Sequence, residues 1–112
     1  MAARISELGR QPFTARKFFR EYADRILFGT DGPRPPGRLR PHWRMMETHD
    51  AFFPYAENEH TPKGVWTIYG LDLPDEVLRR VYHDNAAGFI PGVAERLERW
   101  KRDRESPTVP QP

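Results

Sequence analysis

Ile26-Leu27-Phe28-Gly29-Thr30-Asp31-Gly32-Pro33 is the most informative stretch of this 112-residue chain for predicting the fold class. Three consecutive apolar residues followed by Gly29 are typical of a short strand that is buried on both faces, as in a parallel sheet. Such a strand would deliver Asp31 to the carboxyl end of the sheet, beside a stiff and open loop. In barrels and open α/β sheets, ligands and catalytic groups lie at that edge. The stretch therefore predicts an α/β fold with Asp31 as the candidate site residue.

The pattern leaves two interpretations of Asp31 open. A carboxylate at a strand end can bind a divalent metal, or it can act as a general base toward metal-bound water. Alternatively, Asp31 forms an Asx turn with Gly32, and Pro33 simply follows that turn.

The four histidines, His42, His49, His60 and His83, carry a weaker signal than Asp31. None of them shows the H-x-H or H-x-x-x-H spacing of a zinc site. His49, with Glu47 and Asp50 nearby, could reach a substrate from a helix end, although a solvated surface explains the same residues. His83 falls within a predicted helix, where most histidines simply contribute to the amphipathic pattern and have no chemical role. The sequence contains no Gly-rich phosphate loop and no nucleophile elbow.

A helix precedes the apolar run at residues 26–28. Pro12 is tolerated in a first helical turn, and four apolar residues then follow at positions i, i+3, i+4 and i+7. These residues are Ala15, Phe18, Phe19 and Tyr22. The spacing predicts an amphipathic helix with a wide aromatic face. Upstream, residues 2–8 are predicted to form two helical turns that Gly9 closes at the C′ position.

The region after the apolar run is predicted to be mostly loop. Residues 30–38 contain three prolines and two glycines, which exclude a regular element. Residues 39–48 have the composition of a short helix. Residues 49–64 show neither a helical nor a strand period and are predicted to form an irregular surface excursion. Residues 65–69 are strand-like and are ended by Gly70.

Pro74 opens the clearest helix of the chain. Asp75 and Glu76 suit its positive N-terminal end, and Gly88 or Gly92 is expected to end it. Its predicted buried face consists of Val77, Leu78, Val81, Tyr82, Ala86 and Phe89.

The last part of the chain divides into a helix and a tail. Residues 94–105 are predicted to form a charged terminal helix, in which two Glu–Arg pairs four residues apart each contribute about 0.2–0.5 kcal/mol. Residues 106–112 (SPTVPQP) have nothing to bury, so disorder is predicted there. Residues 1–93 form the remaining unit.

The composition excludes several classes of protein. The chain has no cysteine, which excludes disulfide scaffolds and thiol nucleophiles. No apolar run approaches the roughly 18 residues of a membrane span, and the N-terminus lacks the apolar segment of a signal peptide. We therefore expect a cytoplasmic protein without membrane contact. The 12 prolines imply that much of the chain is turn or loop.

The charge of the chain is uneven but nearly balanced. Residues 1–44 carry 10 basic and 4 acidic groups, whereas residues 45–90 carry 3 basic and 8 acidic groups. Opposite charges of this kind attract each other within one fold. The arginines also lack the aromatic interleaving of a base-stacking surface, so no nucleic-acid partner is expected.

Two stretches of the chain carry a recognisable pattern. The first runs from Ala2 through the helix at residues 15–19 to Arg25-Ile26-Leu27-Phe28-Gly29-Thr30-Asp31. The second runs from Tyr69-Gly70-Leu71-Asp72-Leu73-Pro74 to Tyr82-His83-Asp84-Asn85-Ala86-Ala87. Together they resemble the C-terminal part of amidohydrolase-related proteins (the amidohydrolase 2 group). The resemblance covers residues 2–93, and the strand-Gly-Thr-Asp element together with the Pro-Asp-Glu-Val-Leu helix is a fairly specific pair.

The resemblance implies a (β/α)8 TIM barrel of which this chain holds only the last βα units, mostly helical with one or two short strands. The helix at residues 74–87 would be the final barrel helix. In the family a divalent metal, zinc or manganese, lies at the C-terminal ends of the strands. Asp31 matches the Asp that contacts this metal or its bound water and shuttles a proton. Family members include hydrolases and decarboxylases of small, often aromatic, carboxylic substrates.

The chain departs from the family pattern in what it lacks. The H-x-H pair of the first strand and the later His ligands are absent from the sequence, and a barrel of this kind takes about 250 residues. We therefore expect a truncated or split gene product, or a partner chain that completes the barrel. Alone, the chain is expected to hold no tight metal and to show no activity.

A second hypothesis is a non-catalytic interaction protein. It would use the aromatic face of Phe18, Phe19 and Tyr22 together with the Pro74 helix. An apolar face of this kind, left uncovered, binds a partner or leads to self-association.

Overall fold

The computed structural model describes residues 4–30, 32, 35–56, 64 and 66–105. Within these ranges the chain is mostly helical and contains one two-stranded sheet. In chain order the elements are α1 (Ile5–Leu8), α2 (Pro12–Glu21), α3 (Pro36–Glu47), β1 (Phe53–Pro54), β2 (Thr67–Ile68), α4 (Asp75–Arg79), a π-helical turn (Arg80–Asp84), α5 (Asn85–Phe89) and α6 (Val93–Glu105). This content is compatible with part of an α/β fold, and the eight-stranded barrel remains a prediction.

Helix α2 confirms the predicted amphipathic pattern in part. It begins at Pro12, whose missing N–H would be unpaired in a first turn anyway. Ala15 and Phe19 are buried, whereas Phe18 and Tyr22 stay largely exposed and contact each other with ring centroids 5.1 Å apart. Of the three aromatic residues on the predicted face, only Phe19 enters the core.

Gly9 follows α1 for a different reason than predicted. Its φ of −71° is right-handed, so it does not form the left-handed C′ turn. A Cβ atom at Gly9 would lie 2.5 Å from Cβ of Ile68, and its carbonyl oxygen accepts a hydrogen bond from Tyr69 N at 2.8 Å. Gly9 is therefore needed because the α1 end and β2 approach each other closely.

Helix α3 begins at Pro36, inside the stretch predicted to be loop and three residues before the predicted start at residue 39. The reason is that Pro36 occupies the first helical turn, where its fixed φ favours the helix. Pro41 also lies within α3 and is buried. Met45 and Met46 are fully buried and anchor the C-terminal half of α3 in the core.

The prediction of a surface excursion over residues 49–64 is wrong for its middle part. Phe53–Pro54 forms β1, which pairs antiparallel with β2 so that Phe53 stands opposite Ile68. Both side chains are buried, and the ring of Tyr55 is buried next to them. An irregular run of aromatic residues hid this strand, because two residues are too few to show a period. Residues 57–63 and Val65 lie outside the described residues.

The buried parallel strand predicted at residues 26–28 is not formed. Residues 26–30 belong to neither a helix nor a strand. Ile26 and Phe28 are half-buried, and Leu27 is 37% exposed. A parallel strand needs neighbouring strands on both sides, and the sheet of the described residues contains only β1 and β2.

The predicted Pro74 helix is present over residues 75–89, where α4, the π-helical turn and α5 follow one another without a break. We call this the composite helix. Val77 and Val81 are buried, which confirms the centre of the predicted face, but Phe89 is 78% exposed. The composite helix ends at Phe89, and the positive φ of Gly92 precedes α6.

The core joins the two halves of the described chain. Side chains from α1, α2, α3, both strands and the composite helix meet in one cluster, which consists of Ile5, Ala15, Phe19, Ala23, Met45, Met46, Phe53, Tyr55, Ile68, Leu71, Leu73, Val77 and Val81. Helix α6 contributes no buried residue. The predicted disordered tail, residues 106–112, lies outside the described residues.

Candidate functional site

The segment that leads to the candidate residue, residues 26–30, lies against the composite helix. The backbone N–H of Phe28 donates to the carbonyl oxygen of Val81 at 2.9 Å. The side-chain amide of Asn85 donates to the carbonyl oxygens of Ala23 and Ile26, at 2.5 and 3.0 Å. Two hydrogen bonds therefore hold this segment on the composite helix, and a third holds Ala23 shortly before it.

The π-helical turn contains Val81, whose carbonyl oxygen accepts the hydrogen bond from Phe28. Hydrogen bonds in a π turn run to residue i from residue i+5, and Asn85 N accordingly donates to the Arg80 carbonyl. This register shift widens the composite helix at Val81, the residue whose carbonyl oxygen receives Phe28 N–H. π turns within α-helices are frequent at functional sites.

Aromatic contacts surround the end of the segment. The ring of Phe28 meets Tyr82 of the composite helix edge to face, with centroids 5.5 Å apart, and meets His42 of α3 at 6.2 Å. These two contacts place Phe28 between α3 and the composite helix. Edge-to-face pairs of this kind contribute about 0.5–1.5 kcal/mol beyond the area they bury.

Tyr82 joins this aromatic cluster to a carboxylate. Its hydroxyl donates to Oε2 of Glu47 at 2.8 Å, which links the composite helix to the end of α3. Burial, together with the hydrogen bond and the negative charge of Glu47, raises the pKa of Tyr82 far above that of a free phenol. Tyr82 therefore stays neutral and acts as a donor over the whole physiological range. Sequence spacing gave no sign of this pair, because its members are 35 positions apart.

Asp31, the predicted catalytic and metal-binding residue, lies outside the described residues. Beside it, Thr30 Oγ1 donates to the carbonyl oxygen of Gly32 at 2.8 Å, and Gly32 N donates to that of Thr30 at 2.9 Å. The structure thus describes how the chain reaches this position, and the role of Asp31 stays a prediction.

The other predicted polar residues are not brought together. Glu47 accepts from Tyr82, Asp50 pairs with Arg44 at 2.8 Å, and the imidazole of His49 lies 3.9 Å from Asp72. His83 contacts its own neighbour Asp84 at 2.6 Å, and His60 lies outside the described residues.

The described residues do not form a metal centre. Within residues 4–30, 32, 35–56, 64 and 66–105, no three His, Cys, Asp or Glu side chains are placed to hold a metal ion. The donor set of the described residues therefore does not fit a catalytic divalent metal, which generally takes about three protein ligands.

Comparison with known protein families identifies the family of this chain. The family model described as amidohydrolase matches residues 2–91, which is most of the chain. The chain belongs to the amidohydrolase family. No curated protein and no solved structure matches it.

In the part of the chain that the structure describes, every helix is too short or too polar to cross a bilayer.

Proposed function

We propose that this chain supplies the last βα units of an amidohydrolase-like barrel and that Asp31 is the carboxylate it contributes to the active site. The family match over residues 2–91 carries the proposal. The anchoring of residues 26–30 supports it, because two hydrogen bonds hold these residues on the composite helix and a third holds Ala23 shortly before them.

The role proposed for Asp31 is proton transfer. A carboxylate at the end of a strand can accept a proton from an attacking water molecule and return it to the leaving group. The reaction class is hydrolysis or decarboxylation of a small carboxylic substrate, as in the family that the chain resembles.

The complete enzyme would hold a divalent metal, zinc or manganese, with ligands from segments beyond this chain. The described residues do not themselves fit such a site. The chain alone is proposed to be inactive, because one carboxylate does not hold a catalytic ion.

The exposure of Leu27 supports a role as part of a larger barrel. Leu27 lies in the apolar run that precedes the candidate residue, and it is 37% exposed to solvent. Neighbouring strands on either side of residues 26–30 would cover this side chain and satisfy the backbone groups of the segment.

Co-expression tests the proposal. The chain is purified alone and together with the product of the reading frame upstream, and both preparations are assayed for metal content by elemental analysis and for hydrolysis and decarboxylation of small aromatic carboxylates. Metal and activity are expected only in the co-expressed preparation. Asp31→Asn should then abolish turnover, because the amide keeps the shape but cannot accept a proton.

Asp24→Asn is the matched control, because Asp24 is an exposed carboxylate just before the anchored segment. It should leave turnover unchanged. Full metal occupancy in the lone chain, lost on mutation of His42 or His49, would assign the site to other residues and overturn the proposal.

The second candidate function, a non-catalytic interaction protein, is favoured by one observation. Phe13 and Phe18 of α2 and Tyr22, which directly follows it, are all exposed. If the chain works in this way, Phe18→Glu abolishes capture of its partner, whereas Asp31→Asn leaves it intact.

A further inference from the structure

Helix α6 is the part of the molecule that the proposed enzyme does not use. The family match ends at residue 91, and α6 begins at Val93. No residue of α6 is buried, and its one extensive contact among the described elements is with α5. A helix of 13 residues that packs so little of its surface gains little stability from tertiary contacts.

One side of α6 nevertheless carries an ordered stripe. Val93, Leu97, Trp100 and Arg104 follow at intervals of four, three and four residues, which is the a/d spacing of a coiled-coil seam. Trp100 is 52% exposed, and the Arg104 guanidinium lies 4.7 Å above its ring. We call these four residues the α6 seam. Its first three residues are apolar, of which Val93 and Leu97 are half-buried. Apolar side chains at this spacing form the surface by which one helix packs along another.

The charges beside the α6 seam differ between its two sides. On one side, Lys101 Nζ lies 3.3 Å from Oε1 of Glu98, so its charge is met within the helix. On the other side stand Arg96 and Asp103, and neither makes an ion pair with any described residue. Seven positions separate them, about 10 Å along the axis, so they cannot pair within one helix.

We propose that the α6 seam binds the α6 seam of a second copy of this chain, with the two helices antiparallel. A two-fold axis then sets Leu97 of one copy against Trp100 of the other. The same register brings Arg96 of each copy beside Asp103 of its partner, which makes two ion pairs from one pattern. This self-complementarity is what an isologous interface requires.

The charges also select the direction. In a parallel pair of helices, Arg96 would lie beside Lys101 of the second copy, and like charges at the flanks of a seam disfavour that arrangement. The antiparallel pair instead sets Lys101 beside Ala94, where no charge opposes it.

The contact is small, and this determines how it should be measured. Two helices of 13 residues bury less than the roughly 1,200 Å² of a standard stable interface. The dimer is therefore weak and reversible, so it populates with rising concentration. This association is independent of the proposed enzyme function, because α6 lies beyond the matched residues.

Sedimentation velocity on the full chain, over concentrations from about 5 to 500 μM, tests the proposal by spanning the weak end of protein affinities. The wild-type chain should pass from monomer to dimer. Arg96→Asp and Asp103→Arg should each raise the dissociation constant by about tenfold or more, because each sets like charges together twice. The double variant R96D/D103R should return it to within about threefold of the wild type, because the pairs are restored in reverse.

Arg99→Asp is the control, because it makes the same change of charge on the same helix but away from the flank that carries Arg96 and Asp103. It should leave the dissociation constant of the dimer nearly unchanged. A chain that stays monomeric throughout would overturn the proposal. So would equal weakening by Arg96→Asp and Arg99→Asp, or a double variant that fails to recover.

Discussion

Two short stretches of this chain, β2 at Thr67–Ile68 and the apolar residues 26–28, are held in different ways. Ile68 is fully enclosed, pairs with Phe53 across the sheet, and touches the end of α1 so closely that only glycine fits at position 9. Residues 26–28 have no strand partner among the described residues. One backbone hydrogen bond and the amide of Asn85 tie that stretch and its flank to the composite helix.

The difference separates two sources of stability. Full burial of an isoleucine side chain contributes about 1.5–3 kcal/mol and depends on shape. A hydrogen bond contributes about 0.5–1.5 kcal/mol net and depends on one donor and one acceptor. β2 is therefore part of a closed core, whereas residues 26–30 are fixed at a few points.

The largest effect is expected at β2. Ile68→Ala should lower the free energy of unfolding by about 2–5 kcal/mol, because it leaves a cavity among side chains that cannot collapse. Urea denaturation followed by circular dichroism measures the change. A loss below that of Leu27→Ala, the equivalent truncation in residues 26–28, would contradict the contrast between the two stretches.

Removal of the polar anchor should have the next largest effect. Asn85→Ala is expected to cost about 1–3 kcal/mol, because it leaves the carbonyl oxygens of Ala23 and Ile26 without their donor. Amide hydrogen exchange should speed up at Phe28 more than at Ile68. Arg80→Ala, an exposed change on the same helix, should leave both amides as they were; equal acceleration at the two amides in Asn85→Ala would show that the anchor acts on the whole fold.

Tyr82→Phe should cost about 0.5–1.5 kcal/mol near neutral pH, through the lost bond to Glu47. The pH dependence is a sharper test. Because the folded state raises the pKa of Tyr82, it keeps a proton that the unfolded state releases above about pH 10, so wild-type stability falls as pH rises through that range.

Absorbance titration at alkaline pH checks this ionisation. Tyr82→Phe should remove a phenol that is still protonated where a free tyrosine has ionised, and should flatten the fall in stability. Tyr69→Phe serves as the control, because no hydrogen bond of the Tyr69 hydroxyl is found among the described residues. Identical titration curves for the wild type and Tyr82→Phe would refute the assignment.

The smallest effect is expected at the open side chain. Leu27→Ala should cost the lone chain no more than about 1 kcal/mol, because part of the side chain already faces solvent. In the co-expressed preparation the same substitution should cost more, since neighbouring strands would cover Leu27. An equal cost in both preparations would argue against strands on either side of residues 26–30.

Elements that depend on near neighbours could be predicted from the amino-acid sequence. Pro12 and Pro74 marked the starts of α2 and the composite helix. The preference of proline for a helix start depends on that residue alone, so it can be read without knowing the fold. The 3.6-residue period identified Phe19, Val77 and Val81 as core residues. The Gly-Thr-Asp element and the Pro74 helix indicated the amidohydrolase family, and the family match confirms that.

Contacts between residues far apart in the chain could be seen only in the folded structure. An apolar run predicts burial but does not supply a partner, so residues 26–28 lie on a helix rather than in a sheet. Strand β1 exists because Phe53 finds Ile68, and Tyr82 finds Glu47 across 35 positions. These pairings depend on how the elements pack in space, and no period along the chain records that packing.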